Sequence, residues 1–176
     1  VRPPPTVSAT DLPRPTQSPV LIGGANPRLF FTDLESGPNT GGQDNLGAFV
    51  TIYGEGFGAT RGNSPVTIGG REVAKYVIWG EDNAVARKLD MIVVQLGANV
   101  TSGNLVVTVN GKASNPLPFA VRGGQIYFVI PEAANANDAN PGTFAQPFKT
   151  IYRPKAVMQA GDIVYIKGGV ISTMDP

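Results

Sequence analysis

The run over residues 46–58, Leu-Gly-Ala-Phe-Val-Thr-Ile-Tyr-Gly-Glu-Gly-Phe-Gly, constrains this chain more than any other. Val50 and Ile52 alternate with Thr51 and Tyr53, the period-two pattern of a strand with one buried face. Gly54, Gly56 and Gly58 follow at once and supply backbone freedom that a residue with a Cβ lacks. A strand that runs straight into so dense a turn belongs to a turn-rich β fold. Gly and Pro number 22 and 16 among 176 residues, yet 41% of the chain is hydrophobic, so the turns are set in a sequence able to build a core.

The same grammar recurs on either side. Residues 27–33 read as a first short strand, 36–44 as a long loop and 46–53 as the next strand. Residues 64–68 and 71–79 flank Gly69-Gly70, a hairpin signal. Residues 89–96 and 103–109 form a further pair through the 97–102 connection; Asn110-Gly111 is a type I′ turn signal, and 116–121 give the last strand. About seven short strands with turn signals roughly every 8–12 residues predict a β-sandwich, placed here at 25–122.

Two flanking stretches differ. Residues 1–24 carry Pro3, Pro4, Pro5, Pro13, Pro15 and Pro19 among Thr, Ser and Arg, which reads as an extended spacer, a plain linker before a ligand for a proline-binding partner. From Gly123 the pattern changes again. Residues 125–130 are a near-continuous apolar strand, so both faces should be covered. A polar loop over 133–141 leads to a short helix that begins near Pro154, and 161–169 is another strand bracketed by glycine. Two strands and one helix do not close a domain, so 123–176 is expected to be the incomplete start of a larger unit. The alternative is that these residues finish the sandwich.

Composition removes several functions. The formal net charge is +1 and no Lys/Arg cluster stands out, so nucleic acid is not an expected partner. No run of about 18 apolar residues exists to span a membrane. No apolar leader opens the chain, so an export signal, on this reading, has been removed. The absence of Cys and His excludes disulfides, thiolate or imidazole metal sites, Cys nucleophiles and His-based triads.

With those residues in view, two family resemblances can be stated. The segment 30–121 resembles the immunoglobulin-like IPT/TIG domain through Val50-Thr51-Ile52-Tyr53-Gly54-Glu55-Gly56-Phe57-Gly58, Pro65-Val66-Thr67-Ile68-Gly69-Gly70 and Gly103-Asn104-Leu105-Val106-Val107-Thr108-Val109. The segment 124–170 is similar to the entry of right-handed parallel β-helix proteins of the pectin-lyase-like class. The matching residues there are Ile126-Tyr127-Phe128-Val129, Asn140-Pro141-Gly142-Thr143, Gln146-Pro147-Phe148-Lys149-Thr150-Ile151 and the run from Ala160 to Gly169. It departs from that pattern at Pro154 and in the Ala-rich loop 132–140. The resemblances imply an all-β chain: a sandwich followed by the first coil of a β-helix, in an exported or cell-surface bacterial protein that often acts on polysaccharide. In such proteins the catalytic groups lie on later coils, so no catalytic residue is assigned here. A second function class is a surface adhesin or filament subunit whose Ig-like domain makes protein contacts, and a third is a free-standing carbohydrate-binding module whose sugar affinity depends on Trp79.

Candidate ligand residues are few. Trp79, the only tryptophan, and Tyr76 are candidate carbohydrate-stacking residues, because the C–H face of a sugar packs on an aromatic ring; core packing is the rival reading. No cofactor is expected; Ca²⁺ is the one left open, with Asp33, Glu35 and Asp44 around the long loop as its ligands, against a reading as solvated carboxylates. Asp138, Asn140 and Asp162 read as turn-formers rather than metal ligands. The glycine run 54–58 precedes no helix and no Lys-Ser/Thr, which argues against a phosphate loop.

Overall fold

A computed structural model describes residues 26–80 and 89–168. The proline-rich spacer and the polar run 81–83 beside Trp79 lie outside the described residues. In chain order the strands are β1 (Arg28–Thr32), β2 (Ser36–Gly37), β3 (Phe49–Glu55), β4 (Val66–Ile68), β5 (Arg71–Glu72), β6 (Lys75–Trp79), β7 (Asp90–Gln95), β8 (Gly103–Val109), β9 (Lys112–Ala113), β10 (Leu117–Val121), β11 (Ile126–Val129) and β12 (Ile163–Ile166). One helix, α1 (Tyr152–Val157), precedes β12.

The first ten strands build two facing sheets. One has the order β1-β3-β7-β6; the other has the order β2-β10-β8-β4-β5, with β9 paired to β8. The alternation read from the sequence places each strand. Val50 and Ile52 of β3, Ile92 and Val94 of β7, Val66 and Ile68 of β4, and Leu105 and Val107 of β8 are fully buried between the sheets. Asn115 closes the side of the sandwich. Its carboxamide accepts from the Leu29 N–H at 2.8 Å and donates to the Leu29 carbonyl at 3.0 Å, so one side chain pairs β1 as a neighbouring strand would.

Two of the expected connections are corrected. Residues 71–79 do not form one strand: Arg71–Glu72 pairs with β4 in one sheet and Lys75–Trp79 with β7 in the other. The Val73 N–H still bonds the Val66 carbonyl while the Ala74 N–H bonds that of Gln95, so the chain crosses between sheets within two residues. Similarly β7 and β8 are not a hairpin; they lie in opposite sheets, joined by an inter-sheet connection. The two turns expected at Gly69-Gly70 and Asn110-Gly111 are present, the latter with φ of +49° and +77° as a type I′ turn demands.

Within the glycine run two different needs are met. Gly56 and Gly58 take φ of +78° and +76°, which L side chains rarely adopt. Gly54 has no such φ; instead a Cβ there would stand 2.1 Å from the Arg28 carbonyl oxygen of β1, which pairs with β3 at that point.

Beyond Val121 the ladder changes kind. β11 and β12 pair in parallel, Ile126 with Ile163 through Val129 with Ile166, and join neither sandwich sheet. The far side of β11 is taken by a bridge from Val129 to Phe148. A parallel pair needs a long crossover, and α1 and the 131–150 loop supply it. Pro154 sits in the first turn of α1, where its missing N–H has no helical partner to lose.

Candidate functional site

Tyr76 and Trp79 are three residues apart, a spacing that would put them on opposite faces of a regular strand. A bulge at Val77 changes the count. Tyr76 pairs with Val94 and Trp79 with Ile92, so both side chains turn toward the inter-sheet core, where they pack half-buried. Their ring centroids are 5.9 Å apart and tilted by 58°. The Trp79 indole N–H donates to the Phe57 carbonyl at 3.2 Å. The Tyr76 hydroxyl donates to Glu72 Oε1 at 2.9 Å and accepts from the Val66 N–H at 2.8 Å. The guanidinium of Arg61 lies 3.8 Å from the centre of the Tyr76 ring and pairs with Glu72 at 2.9 Å. Burial, with Glu72 beside it, raises the Tyr76 pKa and keeps it a neutral phenol. The polar atoms of both rings are therefore committed to the fold, and one face of Tyr76 is covered by Arg61.

The aromatic surface that does face outward escaped the sequence reading. Phe31 of β1 stacks on Tyr53 of β3 with centroids 4.7 Å apart, and Phe31 is 48% exposed. The signal was present, since Tyr53 alternates with Val50 and Ile52, but the partner strand was not legible from one strand alone.

Two of the three loop carboxylates, Asp33 and Asp44, have partners within the sandwich. Asp33 accepts from the Thr51 N–H at 2.7 Å and the Thr51 hydroxyl at 2.8 Å, where β1 leaves β3. Asp44 forms an ion pair with Lys75 at 2.9 Å. Among the described residues no three of His, Cys, Asp and Glu gather as a metal site. Asp138 and Asn140 are staples rather than local turn-formers. Asp138 accepts from the Lys149 and Thr150 N–H groups, each at 2.9 Å, and from the Thr150 hydroxyl at 2.8 Å. The Asn140 carboxamide donates to the carbonyls of Asn135 at 2.8 Å and Pro147 at 2.9 Å.

Desolvation works to raise the Asp138 pKa, but the Thr150 and Lys149 donors outweigh it and hold the carboxyl below its ordinary range. A carboxylate whose folded pKa is depressed adds stability above its unfolded pKa, and that stability is lost as pH falls through the folded value. Asp138→Asn should therefore lower the thermal midpoint at pH 7, with the gap to wild type closing as the pH falls below the ordinary carboxylate range of about 4. A gap independent of pH would show that the carboxylate charge is not what holds the loop.

The third cluster is the junction between sandwich and parallel pair. The Arg122 guanidinium donates to Ser36 Oγ at 3.1 Å, to the Gly123 carbonyl at 3.1 Å and to the Gly161 carbonyl. Where β1 no longer covers β3, the Phe49 N–H donates instead to the Tyr165 hydroxyl at 2.8 Å. The Tyr165 ring stands edge-on to Phe49 at 5.4 Å and also contacts Phe128 at 5.6 Å; its burial raises its pKa. Ile126 and Phe128, each 3% exposed, belong to the same buried cluster as Val50 and Ile92.

A family model, the IPT/TIG domain, matches residues 31–121, more than half of the chain. This chain belongs to the IPT/TIG domain family. The match ends at the last residue of β10, so Phe31, Tyr53, Tyr76 and Trp79 are all IPT/TIG residues and the parallel pair lies outside the matched span. Among solved structures, an auxiliary nutrient binding protein from Bacteroides thetaiotaomicron is similar at 17% identity and a TM-score of 0.41, over 56% of this chain and 21% of that one. The chain thus spans about a fifth of that protein's length, and a likeness of this size carries no functional weight. No curated protein matches the chain. No helix among the described residues is long and apolar enough to cross a membrane.

Proposed function

We propose that this chain is a non-catalytic positioning segment of an exported bacterial protein: an IPT/TIG sandwich that carries the opening rung of a parallel β-helix. In the intact protein the later coils bind or cleave polysaccharide. The observation that supports this reading is the parallel β11–β12 ladder, which packs on the sandwich through a continuous core instead of extending either of its sheets. A free first rung would be a template for unwanted strand pairing; here the outer side of β11 is covered by the 142–148 segment, through the Gly142 and Phe148 carbonyls that accept from the Phe128 and Ile130 N–H groups. The β12 edge pairs no other strand among the described residues. Bonds alternate along a strand, so the Val164 and Ile166 amides face that edge.

Expression of the chain together with whatever its reading frame encodes after Pro176 tests the proposal. The Val164 and Ile166 amides should exchange quickly in the 176-residue chain and slowly in the extended protein, as a further rung pairs with them. Equal exchange in both proteins would sink the solenoid reading.

The second reading is a structural adhesin or filament subunit, with the IPT/TIG domain as its contact surface. What favours it is the outer face of the β1-β3-β7-β6 sheet, where Phe31 is 48% and Val77 49% exposed.

A further inference from the structure

Where the sandwich hands over to the parallel pair, an open groove of about 370 Å³ runs beside the end of α1. Gly123, Gly124, Gln125, Tyr127, Gln159 and Asp162 line it. Tyr127, one of the lining residues, is half-buried and held by the Phe148 ring 5.7 Å away at 32°. The rim of the groove is fixed by Asp162, whose carboxylate accepts from the Gln125 N–H at 2.7 Å and the Gln159 N–H at 2.8 Å. Those bonds hold both glutamine backbones in place. The two carboxamides themselves have no partner among the described residues. Two carboxamides, each donor and acceptor, thus flank one anchored aromatic ring.

A ligand that fits must offer an apolar C–H face to Tyr127 and hydroxyls, which donate and accept, to the rim. Saccharides have both. Charge narrows the class further. Asp162 is the one charged side chain lining the groove, and the donor groups of Arg122 are turned to Ser36, Gly123 and Gly161. Arg122 stands close enough to Asp162 to offset its charge, but with its donors engaged in this way it offers none to the carboxylate of an acidic sugar. We propose that this groove binds a neutral saccharide of a few units, which deepens the polysaccharide reading above and rests on it. The site lies at the start of the parallel pair, where a glycan end would be held against the segment that leads into later coils.

The test is an NMR titration of the whole 176-residue chain with cellohexaose, mannohexaose and hexagalacturonate. At least one neutral hexasaccharide should shift the Gln125 and Gln159 side-chain amides and the Tyr127 ring, with hexagalacturonate leaving them unmoved. Gln159→Ala, at an exposed position, should weaken that binding about fivefold without altering the rest of the spectrum. Tyr127→Leu, which keeps an apolar side chain on Phe148, should weaken it more. Shifts confined to the sandwich, no response to either neutral probe, or stronger binding of hexagalacturonate would each overturn the groove. Polysaccharide binding by the extended protein with none at this groove would overturn the site alone. A filled groove on an extended protein without any further rung would instead overturn the solenoid reading.

Discussion

Phe128→Ala is expected to cost about 3–5 kcal/mol and to move the unfolding of the whole molecule, not only of the segment that carries it. Phe128 is 3% exposed, packs edge-on against Phe144 at 5.2 Å and meets Tyr165 at 5.6 Å. Removing its ring leaves a cavity in a cluster that runs without a break into the sandwich core. Trp79 makes the test sharp, because the only tryptophan lies in the sandwich, far along the chain from residue 128. In a urea titration, Trp79 fluorescence and far-ultraviolet circular dichroism should shift together to a lower midpoint. If fluorescence keeps its wild-type midpoint while the dichroism splits into two transitions, the sandwich and the parallel pair are separate folding units. The shared core would then have no energetic meaning.

Gly54→Ala should cost the sandwich about 3 kcal/mol. The added methyl would stand 2.1 Å from the Arg28 carbonyl oxygen and 2.6 Å from the Phe57 ring, and the first of these is backbone that cannot swing aside. β1 would have to leave β3, and with it the Asn115 bonds to Leu29. Gly58→Ala is the control. Its methyl enters open space, so the cost is that of a positive φ alone, about 1 kcal/mol. Thermal unfolding of the two variants should separate them clearly, with fast amide exchange in β1 for Gly54→Ala only. Equal losses would mean that conformational freedom, rather than close approach of the two strands, explains Gly54.

These two changes mark two properties of the fold that bear on the function proposed for it. A sandwich and a parallel ladder that share a core transmit orientation, which is what a positioning segment requires. The Arg122 and Tyr165 bonds fix that orientation at two separate points. A flexible tether would need neither.

The sequence by itself determined most of the strands, the turns and the change of pattern near Gly123, because those rest on local chemistry; Ser36–Gly37, read as loop, is a strand only through its pairing with β10. Alternation in 50–53 reports a half-buried strand whichever neighbour it has, and Asn110-Gly111 makes its turn from its own two φ angles. The resemblance of 30–121 to the IPT/TIG domain was legible for the same reason, since it follows from strand and turn residues in order. What the tertiary structure alone decided is which strands meet. The split of 71–79 between two sheets and the placing of β7 and β8 in opposite sheets depend on partners distant in sequence. So does the bulge at Val77, which turns Tyr76 and Trp79 to the same side and commits their polar atoms to Phe57, Val66 and Glu72. The carboxylates tell the same story: Asp33, Asp44 and Asp138 look alike in a list of loop residues, and only the fold brings Thr51, Lys75 and Thr150 to them. A side chain's chemistry is written in the chain, but its partner is supplied by strand pairing, and pairing is settled by burial of the whole core.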